Sequence, residues 1–246
     1  MKGLKRRRLL IASSTVIAAV AVYVWFFGVA TMFVVQARWM GRREPLIYTV
    51  PAPLPDSSSS NSKVRKFALS RYEFEVPWSI DDSKTVMRSG KLGLFSGSGQ
   101  ILLVSIGQPK EFVRSFGGNP EENSNLRVLY GPDTLGSDYA LHQYMLQTTP
   151  DQVRLTAPRR ENVGRLMMLV TKSVVLPEAA HSGIFTLQTP EFVGFQYGDP
   201  RRMPKRIVVD LFADDGGVEF HFENQGGQLS QAEINRVIQS LHKVKN

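Results

Sequence analysis

From Leu9 to Val35 the chain runs for 27 residues without a charged side chain. A helix of that length, rising about 1.5 Å per residue, reaches roughly 40 Å and exceeds the roughly 30 Å hydrocarbon core of a bilayer. Fourteen of the 27 are Leu, Ile, Val or Phe. At about −0.3 to −0.6 kcal/mol each, they favour insertion by about 4 to 8 kcal/mol. Ser13, Ser14, Thr15 and Thr31 subtract a little. Trp39, beside Arg38, stands where an amphipathic indole marks the far interface.

Three other readings of this run fit less well. A cleaved signal peptide has the same basic start, but its apolar region is only about 7–15 residues long. Gly28-Val29-Ala30 has the form of a small-residue cleavage site, yet the apolar run continues through Met32, Phe33 and Val35. A twin-arginine export signal would account for Arg6-Arg7-Arg8-Leu9-Leu10, but nothing further along demands a prefolded cofactor protein. A buried soluble helix would have no reason for basic flanks. The expectation is a transmembrane helix over 9–35 behind a basic cytoplasmic tail, 1–8.

Five basic residues (Lys2, Lys5 and Arg6 to Arg8) precede the span and three (Arg38, Arg42, Arg43) follow it. That asymmetry favours a cytoplasmic N-terminus with the rest of the chain periplasmic or extracellular. The chain has no Asn-x-Ser/Thr sequon to mark a glycosylated secretory route, so a bacterial inner membrane is the simpler home. Zero cysteines exclude disulfides, thiolate metal sites, a cysteine nucleophile and a lipidated cysteine.

The formal net charge of +8 invites a nucleic-acid reading. Its distribution removes that reading. Residues 1–63 hold nine Lys and Arg against two acids, whereas residues 64–246 hold 21 against 20. The basic charge belongs to the membrane flanks, and nucleic acid is not an expected partner. The expected partners are membrane lipid, through residues 9–35, and an envelope protein. Oligomeric state is left open.

Residues 36–63 are expected to be a juxtamembrane segment and linker. Pro51-Ala52-Pro53-Leu54-Pro55 favours polyproline II, and Asp56 to Ser62 is nearly all serine and asparagine. Such a tether would hold the folded part tens of ångströms from the bilayer if its Pro part rises about 3.1 Å per residue.

Residues 64–246 alternate strand and helix signals. Tyr72, Phe74 and Val76 alternate with Arg71, Glu73 and Glu75 in a half-buried strand. Leu92–Phe95 and Ile101–Ile106 flank Ser96-Gly97-Ser98-Gly99 in a hairpin pattern. Helices are expected from Asp138, with Leu141, Tyr144 and Met145 on one face, and from Pro158, with Val163, Leu166, Met167, Val170 and Val174. Ile184–Leu187 and Phe192–Phe195 are short strand signals. Ile207–Phe212 and Val218–Phe222 form the clearest hairpin, across Ala213-Asp214-Asp215-Gly216-Gly217. Ser230-Gln231-Ala232-Glu233 is a capping box opening a last helix with Ile234, Val237, Ile238 and Leu241 inside. The expected fold class is α+β: a mainly antiparallel sheet packed by amphipathic helices, in one domain over 64–246.

Chemistry is harder to locate. Glu219, His221 and Glu223 project from one strand face at about 6.8 Å intervals, too far apart for neighbours to share an ion held at about 2.0–2.2 Å. With Val218, Phe220 and Phe222 facing the core, the three are expected on the solvent face. No Gly-x-Ser-x-Gly elbow accompanies His142, His181, His221 and His242; Gly93-Leu94-Phe95-Ser96-Gly97 has its serine one place late. His142 and His242 are expected on helices, facing solvent or covering the sheet edge. Ser60-Asn61-Ser62-Lys63 matches Ser-x-x-Lys only within the tether. Neither Gly90-Lys91-Leu92 nor Gly97-Ser98-Gly99 completes a phosphate-binding motif, and Asp214-Asp215 lacks calcium-loop spacing. The stretch from Phe192 to Pro204 combines three aromatics with Arg201 and Arg202. It reads either as an interface with Phe195, Tyr197 and Arg201 as anchors, or as core aromatics beside a solvated loop, which is favoured.

The residue patterns therefore assign no catalytic residue, cofactor or metal. The leading expectation is a membrane-anchored, non-catalytic binding or assembly domain. The alternatives are a small-molecule or lipid-binding domain, with a cavity lined by residues such as Met167, Val170 and Phe220, and an envelope hydrolase. The hydrolase requires a cleft that gathers His221 or His181 with a carboxylate and Ser or Thr.

Overall fold

The structure is a computed structural model that describes residues 28–54, 64–115, 124–202, 205–226 and 229–244. The basic tail, most of the expected span, the serine-rich stretch 56–62, the Ser-x-x-Lys match at 60–63 and residues 203–204 lie outside the described residues. Among the described residues no helix is long and apolar enough to cross a membrane.

The fold is α+β, built on one large antiparallel sheet. β4 (Val86–Arg88), β5 (Leu92–Gly97) and β6 (Gln100–Gly107) form a meander. β7 (Ile184–Gln188), β8 (Val193–Tyr197), β9 (Arg206–Ala213) and β10 (Gly216–Asn224) form a second. The two meanders join where β10 pairs antiparallel with β6 over eight residues, and β1 (Ala52–Pro53) adds a parallel edge to β7. A small sheet of β2 (Arg65–Leu69), β3 (Tyr72–Val76) and β11 (His242–Lys243) lies beside it.

Helix α1 spans 28–43, and between the meanders the chain inserts α2 (Glu111–Ser115), α3 (Ser124–Thr134), α4 (Asp138–Gln147) and α5 (Arg159–Val175). The α3 segment is broken at Gly131, whose φ of 79° precedes Pro132. A last helix, α6 (Gln231–Ser240), opens on the expected capping box: Ser230 Oγ accepts the Glu233 N–H at 3.2 Å, and Glu233 Oε2 accepts the Ser230 N–H at 2.8 Å.

Both faces of the large sheet are covered. On one, Phe95, Leu102, Val209, Phe220 and Phe222 pack against Phe67 and Phe74 of the small sheet and Ile234, Val237 and Ile238 of α6. Phe74 meets Phe95 and Phe220 edge-on, with centroids 5.6 Å apart in both pairs. Asp215, in the β9–β10 turn, ties the hairpin to the small sheet through Arg71 at 2.8 Å and Lys243 at 2.7 Å, so this aspartate serves the hairpin. On the opposite face, Ile184, Phe195, Tyr197 and Val208 pack against Leu126, Tyr130, Leu141, Met145 and Met168 of the inserted helices.

Several expectations change in detail. Gly97 lies within β5, not in the turn. A Cβ there would fall 2.0 Å from the Ser79 carbonyl oxygen, so close backbone approach is what requires the glycine. The turn itself is Ser98-Gly99, both at positive φ. His242 sits on strand β11 and not on a helix.

The face of α5 is also different: Asn162, Leu166, Met168, Leu169 and Lys172 are buried, whereas Met167, Val170 and Val174 are exposed. The reversal has a physical cause, because the two buried polar residues complete backbone hydrogen bonding elsewhere. Asn162 accepts from Arg154 N at 3.1 Å and donates to Arg154 O at 2.7 Å. Lys172, fully buried, donates to Leu146 O at 2.7 Å, Thr49 O at 2.8 Å and Thr148 O at 3.1 Å. Leu146 and Thr148 end α4, so the ammonium caps carbonyls that have no partner within that helix.

Thr49 belongs to the segment that leaves the expected span. Residues 28–43 are helical, a 3₁₀ turn follows at Pro45–Tyr48, and Ala52–Pro53 pairs with β7. Ala37 and Ile47 are fully buried with Leu166 and Leu169 of α5, and Phe33, Val34 and Met40 pack against the same cluster. The helix end therefore docks on the folded part. This differs from the expectation of a domain held off by a tether, and it arises because the apolar positions continue past Val35.

Replacing Lys172 by Met leaves three carbonyls without their donor. We expect a loss of about 3 kcal/mol or more, which corresponds to roughly 6–12 °C in melting temperature for a domain of this size. A melt of the purified full chain within 2 °C of wild type would refute this role.

Candidate cleft between the sheet and helix α4

Strand register builds the site. On the helix-covered face, Phe195, Asp210, Glu219 and Ser105 form one row across β8, β9, β10 and β6, because each is the cross-strand partner of the next. The adjacent row is Tyr197, Val208, His221 and Leu103. Directly opposed residues in an antiparallel pair have Cβ atoms about 4.5–5.5 Å apart, so Asp210 and Glu219 are side by side. Gly194 permits the register: a Cβ there would fall 1.9 Å from the Asp210 carbonyl oxygen.

Above these rows α4 and α2 leave a cavity of about 720 Å³. Its walls include Ser105, His142, Tyr197, Asp210, Glu219 and His221, with Glu111, Phe112 and Asp138 at the rim. Ser137 caps α4 by accepting the Ala140 N–H at 3.1 Å. One turn on, His142 is 7% exposed and lies against Phe112 and Phe212, with ring centroids 3.8 and 4.9 Å away.

The site holds its titratable groups in different states. Burial, then the Glu219 charge, pushes the Asp210 carboxyl up to about 7, against the opposing influence of His221 and a hydrogen bond with Tyr197. Glu219 moves the other way. Its Oε1 lies 2.7 Å from His221 Nε2, and that hydrogen bond leads in holding it below the usual glutamate range; burial opposes, and Ser105 Oγ, which donates to Oε2 at 3.1 Å, lowers it further. Burial pushes the His142 imidazole down to about 4. Its Nδ1 is 3.0 Å from the Asp138 carbonyl oxygen, which can only accept. The proton therefore sits on Nδ1, and Nε2 presents a lone pair.

These states define what the cleft can do. A protonated Asp210 donates, an ionised Glu219 and a neutral His142 accept, and an acid and a base stand on adjacent strands at neutral pH. A serine nucleophile needs its hydroxyl on an imidazole that is oriented by a carboxylate. Here Ser105 bonds the carboxylate, and His221 lies on that carboxylate's other oxygen. The gathering of His221, a carboxylate and a serine is present, but in an order that does not activate the serine. Among the described residues no group of three His, Asp or Glu is placed to hold a metal ion.

Of the strand residues singled out from the sequence, Glu219 and His221 face this cleft and not open solvent. Glu223 lies outside it and pairs with Arg206 at 3.3 Å. His142, expected at a solvent face or sheet edge, is buried in the wall; His181 and His242 are exposed and elsewhere. The Phe192–Pro204 stretch follows the core reading: Phe192, Phe195 and Tyr197 are at most 2% exposed, and Arg201 is held by Asp199 at 2.8 Å. The cavity expected from Met167, Val170 and Phe220 does not form. Phe220 is buried on the opposite sheet face, while Met167 and Val170 border a separate groove of about 520 Å³ beside Gln36. Asp210 and Ser105 were not foreseen, and Tyr197 was singled out only as an interface anchor and not as a cleft residue. The signal for Asp210 was a lone carboxylate within Ile207-Val208-Val209-Asp210-Leu211-Phe212, a strand otherwise apolar on both faces.

Stability should report the Asp210 environment. Its folded pKa of about 7 lies above the ordinary 3.8, so the folded state keeps a proton that the unfolded chain has released. That contribution favours folding at low pH and is lost as pH rises through about 7. Asp210→Asn should therefore be more stable than wild type at pH 8 by about 2 kcal/mol, after discounting for solvent in the cleft. The difference should vanish by pH 4, as measured by urea unfolding of the full chain. A pH-independent difference would show that Asp210 is not held in this state.

Compared with family models, curated proteins and solved structures, the chain matches none, so the reading of the cleft rests on its own geometry.

Proposed function

We propose that the chain is a single-pass membrane protein, anchored through 9–35. Its domain, presented outside the cytoplasm, binds a small polar molecule in the cleft between α4 and the β8–β9–β10 face. The carrying observation is the row Asp210–Glu219–Ser105, with His221 on Glu219 and His142 above it, lining one cavity of about 720 Å³. That volume falls within the range of small-molecule sites, which combine apolar walls with a few convergent polar groups. Here Phe112, Val208 and Phe212 supply the walls. The groups placed to contact the ligand can also exchange a proton with it, so binding is coupled to pH between about 6 and 8 through Asp210.

The assembly reading retains one specific observation. Met167, Val170 and Val174 stand exposed along α5, beside the helix that leaves the membrane, with Val174 at 78%. Crosslinking in intact membranes from this face, with recovery of a single protein species, would support it.

Ligand binding is tested on the full chain in detergent, by melting it against a panel of small carboxylates, phosphates, sugars and amines. At least one compound should raise the wild-type melting temperature, and Ser105→Trp, which fills the cleft floor, should melt normally but lose the response. A panel that shifts wild type and Ser105→Trp equally would rule out the cleft. A C-terminal alkaline phosphatase fusion should be active and the corresponding green fluorescent protein fusion dark. The opposite pair of results would place the domain in the cytoplasm.

A further inference from the structure

Next to the cleft, on the other side of His221, lies a second cavity of about 640 Å³, and Pro177, Val208 and His221 line both. The walls change sign across that boundary. The first chamber has Glu111, Asp138, Asp210 and Glu219 and neither lysine nor arginine; the second has Arg202, Lys205, Arg206 and His181 with one acid, Glu178. In a domain whose basic and acidic residues nearly balance, this is a local excess of cations.

The neighbouring arginines are not equivalent. Arg201 is committed to Asp199, and Arg206 is paired with Glu223 at 3.3 Å. Among the described residues the Arg202 and Lys205 side chains make no ion pair, and both are exposed to the chamber. On β9, Arg206 and Asp210 share a face four residues apart, about 14 Å at roughly 3.4 Å per residue, with Val208 and the facing His221 midway.

We propose that the molecule bound in the cleft carries an anionic group, a phosphate or carboxylate, held in this chamber by Arg202 and Lys205 with Arg206 and His181 around it. The rest of the molecule passes His221 to reach the Asp210–Glu219 pair. This rests on the reading of the cleft as a ligand site and specifies the ligand's class: a small organic anion with its reactive or recognised polar group about 7–14 Å from the charge. Guanidinium and ammonium donors suit such oxygens, and the apolar Val208 step between the chambers suits a short carbon skeleton. The opposite signs of the two chambers also fix direction, because the anionic end is repelled from Glu219 and drawn to Lys205.

The test uses the full chain in phosphatidylcholine nanodiscs, with imidazole resonances observed while inorganic phosphate is added at constant ionic strength set by chloride. Phosphate should move the His181 and His221 signals in a saturable way. Arg202→Ala/Lys205→Ala should weaken that binding at least fivefold with unchanged melting, and Lys66→Ala, an exposed cation on β2 away from both cavities, should leave it within twofold. A second arm uses nanodiscs containing phosphatidylglycerol without added phosphate. The same shifts there identify a lipid headgroup as the source of the anion, and their absence, with phosphate active, identifies a free one. No movement of either histidine in both arms, or equal binding by the double variant, overturns the proposal. If the compound panel finds a cleft ligand with no acidic group, the small-molecule reading stands and this inference falls.

Discussion

The pairing of β9 with β10 sets two carboxyl groups, Asp210 and Glu219, opposite one another on a sheet face that helices cover. Like charges directly opposed are unfavourable, and burial raises the cost of having both ionised. The chain accommodates them by holding one proton between two sites with different surroundings. His221 and Ser105 bond Glu219 and favour its charge, while Asp210, more deeply surrounded, keeps its proton to near neutrality. A slip of either strand by one residue would turn its carboxyl group into the aromatic core on the other face. The hairpin, its Asp215 anchors to the small sheet and the close approach at Gly194 all act against that slip.

Covering the face requires the helices to be fixed in place, and the buried Lys172 does much of this. A single ammonium joins the end of α4, helix α5 and the extended segment at Thr49 that follows the helix over 28–43. Burial pushes it down to about 8, so it is still mainly protonated at neutral pH. One consequence is mechanical. The segment that follows the helix over 28–43 and the helix roofing the cleft share a bond through Lys172.

Local chemistry was legible in the residues wherever the signal was itself local. The Ser230–Glu233 capping box, the β9–β10 hairpin and the alternation of Tyr72, Phe74 and Val76 all appear as read. The buried face of α5 was not legible, because Asn162 and Lys172 are polar in composition and become interior only by satisfying backbone groups outside the helix, Asn162 those of Arg154 and Lys172 that of the distant Thr49. The site was half legible. Glu219 and His221 were visible as a pair on one face, but alternation alone cannot say whether that face meets water or a layer of helices. That depended on β6 pairing with β10 across the inserted helices, a contact between residues more than a hundred positions apart. His142 was misplaced for the same reason, since α4 is enclosed on more than one side.

The most direct measurement of this account is the carboxyl carbon titration of the full chain labelled at aspartate and glutamate. One aspartate signal, lost in Asp210→Asn, should titrate near 7, and it should move to lower pH in Glu219→Gln, where the neighbouring charge is gone. An Asp210 signal that titrates near 4 in wild type, unmoved by Glu219→Gln, would contradict the coupled acid–base pair on which the reading of the cleft depends.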